Sequence, residues 1–221
     1  MALAARWIRL GLAGPLALRA AYTGLAAAQP PGGAPIVLWA EAGSCVRCEI
    51  FDAEESQYVF VLIAPLRVVP GRRARWLAWA LAPAIATYRH FGLRAYLDAG
   101  GVWLNGNRIA RSAAAQLGSC AIAGAGFLPR FPDVPPLPER SAAPPAQFRA
   151  WLREGLGLAL SEWAGHGETP AERELESVFR ARIEAQHGWQ FETSWPSTRE
   201  QAAIAAARVR LAEPLCEALA R

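Results

Sequence analysis

The chain has no lysine: all 23 of its basic residues are arginine. A guanidinium stays protonated at any ordinary pH, so no mechanism that needs a lysine nucleophile, a Schiff base or a phosphate-reading ammonium runs on this chain's own side chains. Histidine occurs three times, at His90, His166 and His187, and none has a sequence neighbour that makes a cysteine–histidine pair evident; all three read as surface or helix-end residues. The cysteines, Cys45, Cys48, Cys120 and Cys216, are too few and too spread to build a disulfide framework. Reduced thiols in a cytoplasmic protein are the expectation. Cys45-Val46-Arg47-Cys48 has the spacing of redox and zinc sites, but zinc needs a second ligand pair that Cys120 and Cys216 do not form. Ordinary semi-buried thiols and no metal site are expected.

Long apolar runs are absent as well. The nearest, 76–88, falls short of the roughly eighteen residues that a membrane span needs. No repeat is visible. The net charge of +4 and pI near 9.2 come from scattered arginines, with only Arg72, Arg73 and Arg75 clustered, which argues against nucleic acid as a partner. An alanine-rich, lysine-free composition is the mark of GC-rich bacterial coding.

What is there is a globular composition, 53% hydrophobic against 19% charged, with enough chain for one core and a small helical appendage. Arg6 and Arg9 ahead of an apolar stretch, with Ala26-Ala27-Ala28 behind it, have the outline of a secretory leader; Arg19 interrupts the run, and 7–10 reads better as a first strand. A helix over 15–28 follows, with Pro15 at its start and Pro30-Pro31-Gly32-Gly33 after it. Segments 36–40 and 58–64 suit buried strands, with 49–57 between them as loop. Over 72–91, Trp76, Leu77, Ala80, Leu81, Ala84, Ile85 and Tyr88 recur at helical spacing, Pro83 predicts a kink, and Gly92 is a stop. Residues 102–110 are two short strands about Asn105-Gly106, a pair that tolerates the positive φ of a tight hairpin turn. A further strand covers 120–128, in which Gly124 and Gly126 leave room for something to approach the backbone. Proline-rich 129–145 reads as a linker, 147–163 as a helix, 189–193 as a short strand, and Thr169-Pro170-Ala171-Glu172 and Ser197-Thr198-Arg199-Glu200 as capped helix starts, the first helix ending at Gly188 and the second bending at Pro214. Among the tryptophans, Trp76, Trp79, Trp151 and Trp163 suit helix cores. The sum is α+β: a mixed sheet with flanking helices over 1–145, and a small helical C-terminal part over 146–221 packed on it.

The order strand, helix, strand ending in Pro65, long helix, and then Gly101-Val102-Trp103-Leu104-Asn105-Gly106-Asn107-Arg108-Ile109-Ala110-Arg111-Ser112-Ala113 resembles the lipoate-protein ligase and octanoyltransferase branch of the biotinyl/lipoyl ligase superfamily. Leu117 to Leu128 is similar to the strand that follows in such ligases, and 179–208 to their small C-terminal portion. The resemblance implies the superfamily's catalytic-domain fold and a protein that binds a lipoyl or octanoyl group, or its adenylate, for transfer to a lysine on a lipoyl carrier domain or from an acyl carrier protein. ATP, with its magnesium, and lipoate or octanoate are the implied substrates. The family's motif lysine falls at Arg108, and the glycine after it at Arg111. Arg108 keeps the charge and the capacity to hold two oxygens but cannot exchange a proton near neutral pH. The family's Arg-Arg and Gly-Gly-Gly run has no counterpart; Gly43-Ser44-Cys45-Val46-Arg47-Cys48 stands in that neighbourhood. The implied substrate contacts are Tyr58, Asn105, Gly106, Ile109, Ala110, Ser112, Gly124 and Gly126, with Arg108 on the carboxylate or phosphate and Cys120 as a candidate nucleophile. The missing lysine and glycine run favour a degenerate, non-catalytic member acting as a binding or partner subunit, while the retained hairpin and the order of the elements fit either reading.

Overall fold

The structure is a computed structural model that describes residues 2–42, 46–48, 51–53, 58–98, 100–104, 107–128 and 170–219; at 46–48, 51–53, 107, 108, 110, 111 and 213–219 it describes the backbone alone. Along the chain the elements are β1 (Leu3–Ala13), α1 (Pro15–Ala28), β2 (Ile36–Ala42), β3 (Val46–Cys48), β4 (Phe51–Ala53), β5 (Tyr58–Pro65), two 3-10 turns (Leu66–Val68 and Arg73–Arg75), α2 (Trp76–His90), β6 (Tyr96–Asp98), β7 (Gly101–Leu104), β8 (Asn107–Ser112), β9 (Ala114–Leu117), β10 (Cys120–Phe127), α3 (Glu172–His187), β11 (Trp189–Thr193) and α4 (Thr198–Leu219).

A six-stranded mixed sheet has the order β11-β1-β2-β5-β10-β9, and a second, five-stranded sheet the order β3-β4-β8-β7-β6. All eight residues of β5 are buried, and so are the first five of β2, because helices cover both faces of the larger sheet at these strands. The two periodic faces sort the core into two clusters. Trp7, Trp39, Tyr58, Phe60, Ala125 and Phe127 point to one side, where they meet Leu81 and Tyr88 of α2, Leu175, Phe179 and Ile183 of α3, and Val102, Leu104 and Ile109 of the smaller sheet. Ile8, Leu38, Val59, Val61, Cys120 and Ile122 point to the other, against Leu18, Tyr22 and Leu25 of α1 and Ile204 of α4. α1 and α4 touch backbone to backbone, since a Cβ on Gly24 would lie 2.5 Å from both Cα and N of Ile204.

Local cues explain the ends of several elements. Pro15 stands in the first turn of α1. Gly188 closes α3 at φ 66°, its N–H reaching Glu184 O, a conformation that favours glycine. Ser197 and Glu200 form the reciprocal cap of α4: Ser197 N–H donates to Glu200 Oε2 at 2.7 Å and Glu200 N–H to Ser197 Oγ at 3.4 Å.

Some expectations are corrected. The first strand has 11 residues rather than four, because it gains ladders on both sides, to β2 and to β11. Residues 3–28 are thus a central strand and a buried helix, and a cleavage after Ala28 would remove both. α2 begins at Trp76, since 73–75 close a 3-10 turn first. α3 begins at Glu172 with Ala171 as its cap and no side-chain capping bond, so Pro170 precedes the helix instead of opening it. Within the segment 49–57 read as loop, 51–53 is a short strand, β4, joined as an antiparallel pair to β3 just ahead of that segment, which was not foreseen. β6 and β9 were not foreseen either. α4 runs through Pro214 to Leu219, the end read from the sequence. The proline-rich linker and the helix over 147–163, together with Trp151, Trp163 and His166, lie outside the described residues.

Candidate functional site

The smaller sheet meets the larger one at the end formed by the C-terminal residues of β2 and β10 and the N-terminal residue of β5. Tyr58 pairs with Glu41 of β2 and Phe127 of β10 there. Its ring is 6% exposed and stacks on Trp39, with centroids 5.7 Å apart and planes 12° off parallel. Burial pushes the Tyr58 hydroxyl pKa up, and the charges of Glu172 and Glu41 push it further. Behind this pair the aromatic wall continues: Trp39 lies 5.9 Å from Trp7 and from Phe127 and 5.8 Å from Phe179. The C-terminal half of α2 is docked at the same end by Tyr88, whose buried hydroxyl accepts the Leu128 N–H at 3.0 Å.

Trp7 and Trp39 are neighbours with different polar fates. The Trp7 indole N–H donates to Glu176 Oε1 at 2.6 Å, and Arg9 Nε donates to the same oxygen at 2.7 Å, so the 5%-exposed carboxylate pins α3 onto β1. Trp39, 2% exposed, has no acceptor for its Nε1–H among the described residues. A buried donor without an acceptor costs on the order of 1–3 kcal/mol. Ser112, 5% exposed at the end of β8, has an Oγ in the same condition. Its backbone N–H extends the hairpin by donating to Gly100 O at 3.0 Å, with Gly100 at φ 73°. An apolar aromatic wall with two uncompensated polar groups at its sheet junction is suited to a mostly apolar molecule that carries a hydrogen-bonding group.

β7 and β8 form the expected hairpin, with Trp103 opposite Arg108 and Val102 opposite Ala110. Ile109 therefore has no partner on β7: it is a bulge, and it is buried at 5% exposure in the same cluster as Trp39. Bulges turn the strand locally and re-aim the flanking side chains. The motif thus brings Ile109 and Ser112 to the sheet junction. Arg108 and Ala110 are described by their backbone only, and Asn105 and Gly106 lie outside the described residues.

The remaining described sequence candidates do not share the face of the sheet on which Tyr58 lies. Gly124 and Gly126 pair with Val61 and Val59, on the face of the sheet that α1 covers. Cys120 is also on that face and pairs with Pro65, seven residues along β5 from Tyr58, or about 23 Å at a strand's rise. It is 0% exposed, and burial pushes its thiol pKa up, the opposite of what activates a nucleophile. Cys48 stands in an extended strand, not at a helix start where such thiols are made reactive, and Cys45 lies outside the described residues. No group of three or more metal-ligating side chains occurs among the described residues. Trp39 is the site residue that sequence reasoning missed; the available signal was a tryptophan in the all-apolar run of 36–40.

No protein-family model matches the sequence, and no curated protein matches it. Solved structures do. A bi-partite lipoate protein ligase from Thermoplasma acidophilum, studied with its E2 lipoyl domain, superposes with a TM-score of 0.62 at 10% identity, over 93% of this chain and 92% of that one. Protein Ta0514 of T. acidophilum with bound lipoic acid gives 0.64 at 11%, over 92% and 94%. Lipoate-protein ligase A bound with ATP gives 0.63 at 10%, over 93% and 94%. The described helices include none long and apolar enough to cross a membrane. Over nearly its whole length, this chain has the fold of the lipoate-protein ligases.

Proposed function

We propose that the protein binds a lipoyl or octanoyl group, or its adenylate, at the Tyr58 end of the large sheet and passes it to a lysine of a carrier domain. The observation that carries this reading is the Trp39 N–H, without an acceptor among the described residues, on an aromatic wall beside the junction with the hairpin of Ile109 and Ser112. The alkyl chain would lie against Trp39, Phe127 and Phe179, and the Trp39 N–H and Ser112 hydroxyl would hold polar groups of the acyl compound. In the transfer, the carrier's lysine nitrogen bonds to the acyl carbonyl carbon. The bond from that carbon to the phosphate oxygen breaks, AMP leaves with the electron pair, and the amine's proton goes to solvent. Arg108 would hold the carbonyl or phosphate oxygens without exchanging a proton. The lipoic acid, ATP and lipoyl domain named with the structural neighbours support this choice of substrates and carrier.

A non-catalytic binder is favoured instead by charge. Glu41 pairs with Tyr58 across the ladder, and the charges of Glu172 and Glu41 add to the rise in the Tyr58 pKa that burial causes; negative charge there opposes a free carboxylate or a triphosphate. Intact-mass measurement of a lipoyl carrier domain separates the two. Incubation with octanoate or lipoate plus ATP is compared with incubation with the preformed acyl-adenylate. A mass gain with the adenylate above the uncatalysed background supports transfer, and a gain with free acid and ATP adds activation to it. No gain in either arm overturns catalysis and leaves the binding subunit.

A further inference from the structure

The end of the large sheet opposite Tyr58 is built from three loops: 29–35 ahead of β2, 66–75 after β5, and the turn 117–119 ahead of β10. They are joined there, since Leu66 N–H donates to Ser119 O at 3.0 Å and Arg67 donates to Gly32 O at 2.9 Å and Gly33 O at 3.3 Å. These loops contain Arg67, Arg72, Arg73 and Arg75 and no acidic residue, and the segment 58–97 has none either. Four arginines equal the whole formal excess of +4, so the rest of the chain is balanced in number. All four are exposed, and none makes an ion pair with a described carboxylate. Glu184, on the neighbouring helix α3, is engaged by Arg180 Nε and the Phe191 N–H, each at 3.4 Å.

Apolar groups share the same turns. Leu66 is 37% exposed, and Val68, Val69 and Pro70 are half-buried. The aromatic ring that follows these turns is turned inward: Trp76 is 7% exposed, its Nε1–H donates to Pro70 O at 2.7 Å, and Arg73 lies over its ring at 5.9 Å. The three loops carry no aromatic residue of their own for a base to stack on, which disfavours single-stranded nucleic acid. Guanidinium groups interleaved with small exposed apolar side chains suit a layer of phosphate headgroups over acyl chains. We propose that this end of the protein docks on an anionic phospholipid surface, leaving the Tyr58 end, a strand's length away, turned from the bilayer.

The test is co-sedimentation of the full-length protein with vesicles of phosphatidylglycerol and phosphatidylcholine against vesicles of phosphatidylcholine alone, at low and high salt. Binding is expected to the anionic vesicles only and to weaken with salt. Arg72 and Arg75 make no side-chain hydrogen bond or ion pair with a described residue, so the double variant R72Q/R75Q is expected to keep the fold, checked by circular dichroism, and should bind about thirtyfold more weakly. The double variant R208Q/R210Q, on the exposed surface of α4, removes the same charge and should bind nearly as the parent does. Leu66→Ser should weaken vesicle binding while leaving retention on a heparin column unchanged. Equal binding to both vesicle types, an equal loss in both double variants, or duplex DNA displacing the vesicles at equal phosphate would each overturn the proposal, the last in favour of a general polyanion site.

Discussion

Trp7 and Trp39 lie 5.9 Å apart on adjacent strands, yet among the described residues only Trp7 finds an acceptor for its indole N–H. If the other is kept for a ligand, Trp39→Phe retains most of the wall and removes the donor. The expected outcome is a melting temperature equal to or above the parent's, since an uncompensated buried group is lost, together with a five- to tenfold weaker affinity for octanoyl-adenylate, measured by calorimetry. A large fall in stability with unchanged affinity would make Trp39 a packing residue only. Charge effects at single residues also set the response to acid. Burial between Trp79 and Trp189, whose ring centroids lie 4.3 and 4.9 Å away, holds His187 down to about 4. Its contribution is present above the unfolded value near 6.5 and is lost as pH falls toward 4. Burial pushes the Glu200 pKa up, but hydrogen bonds from Arg6 and Ser197 outweigh it and leave the carboxyl below its ordinary value. That contribution is present above the usual carboxylate range and is lost only at lower pH still. Chemical denaturation from pH 7 to 3 should therefore show a decline starting near pH 6.5, and His187→Leu should remove that upper part alone.

Element by element, what could be read from the sequence was whatever a local rule determines. The 15–28 helix, the 189–193 strand and the Ser197–Glu200 cap came out as read because a proline, a glycine or a capping pair fixes each of them within a few residues. β3, β4, β6 and β9 have three or four residues each and no alternation of their own; their partners across the ladder make them strands. Within the site, Ile109 and Ser112 were found through the hairpin motif, whereas Trp39 and the position of Cys120 depend on which face of a sheet is covered, a long-range fact. The α1–α4 contact is equally illegible, although Gly24 carries it. Gly24→Ala improves helix propensity by about 1 kcal/mol but forces two backbones apart. A net destabilisation of about 1–3 kcal/mol is expected from urea denaturation, the usual cost of overpacking. A stabilised variant would show that the two helices separate easily.

For the molecule as a whole, β1 is the strand on which the rest depends. It pairs in parallel with β2 on one side and with β11 on the other, and Trp7 and Ile8 supply both faces of the core. Deleting residues 1–13 should abolish the cooperative thermal transition rather than lower its midpoint, as read by calorimetry on the purified chain. A cooperative transition in the truncated protein would mean that β2, β5 and β10 suffice as a folding unit.

That same pairing joins the first and last strands of the chain, Leu3 opposite Trp189. On the ribosome, β1 emerges about 186 residues ahead of β11 and must wait for its outer neighbour until that stretch has been made. Until then its edge is open, and open edges invite pairing with other chains. Contacts so distant in sequence also slow folding after release. Synthesis at reduced temperature or with a chaperone holding the nascent β1 edge should therefore raise the yield of native protein more than any substitution in the finished fold.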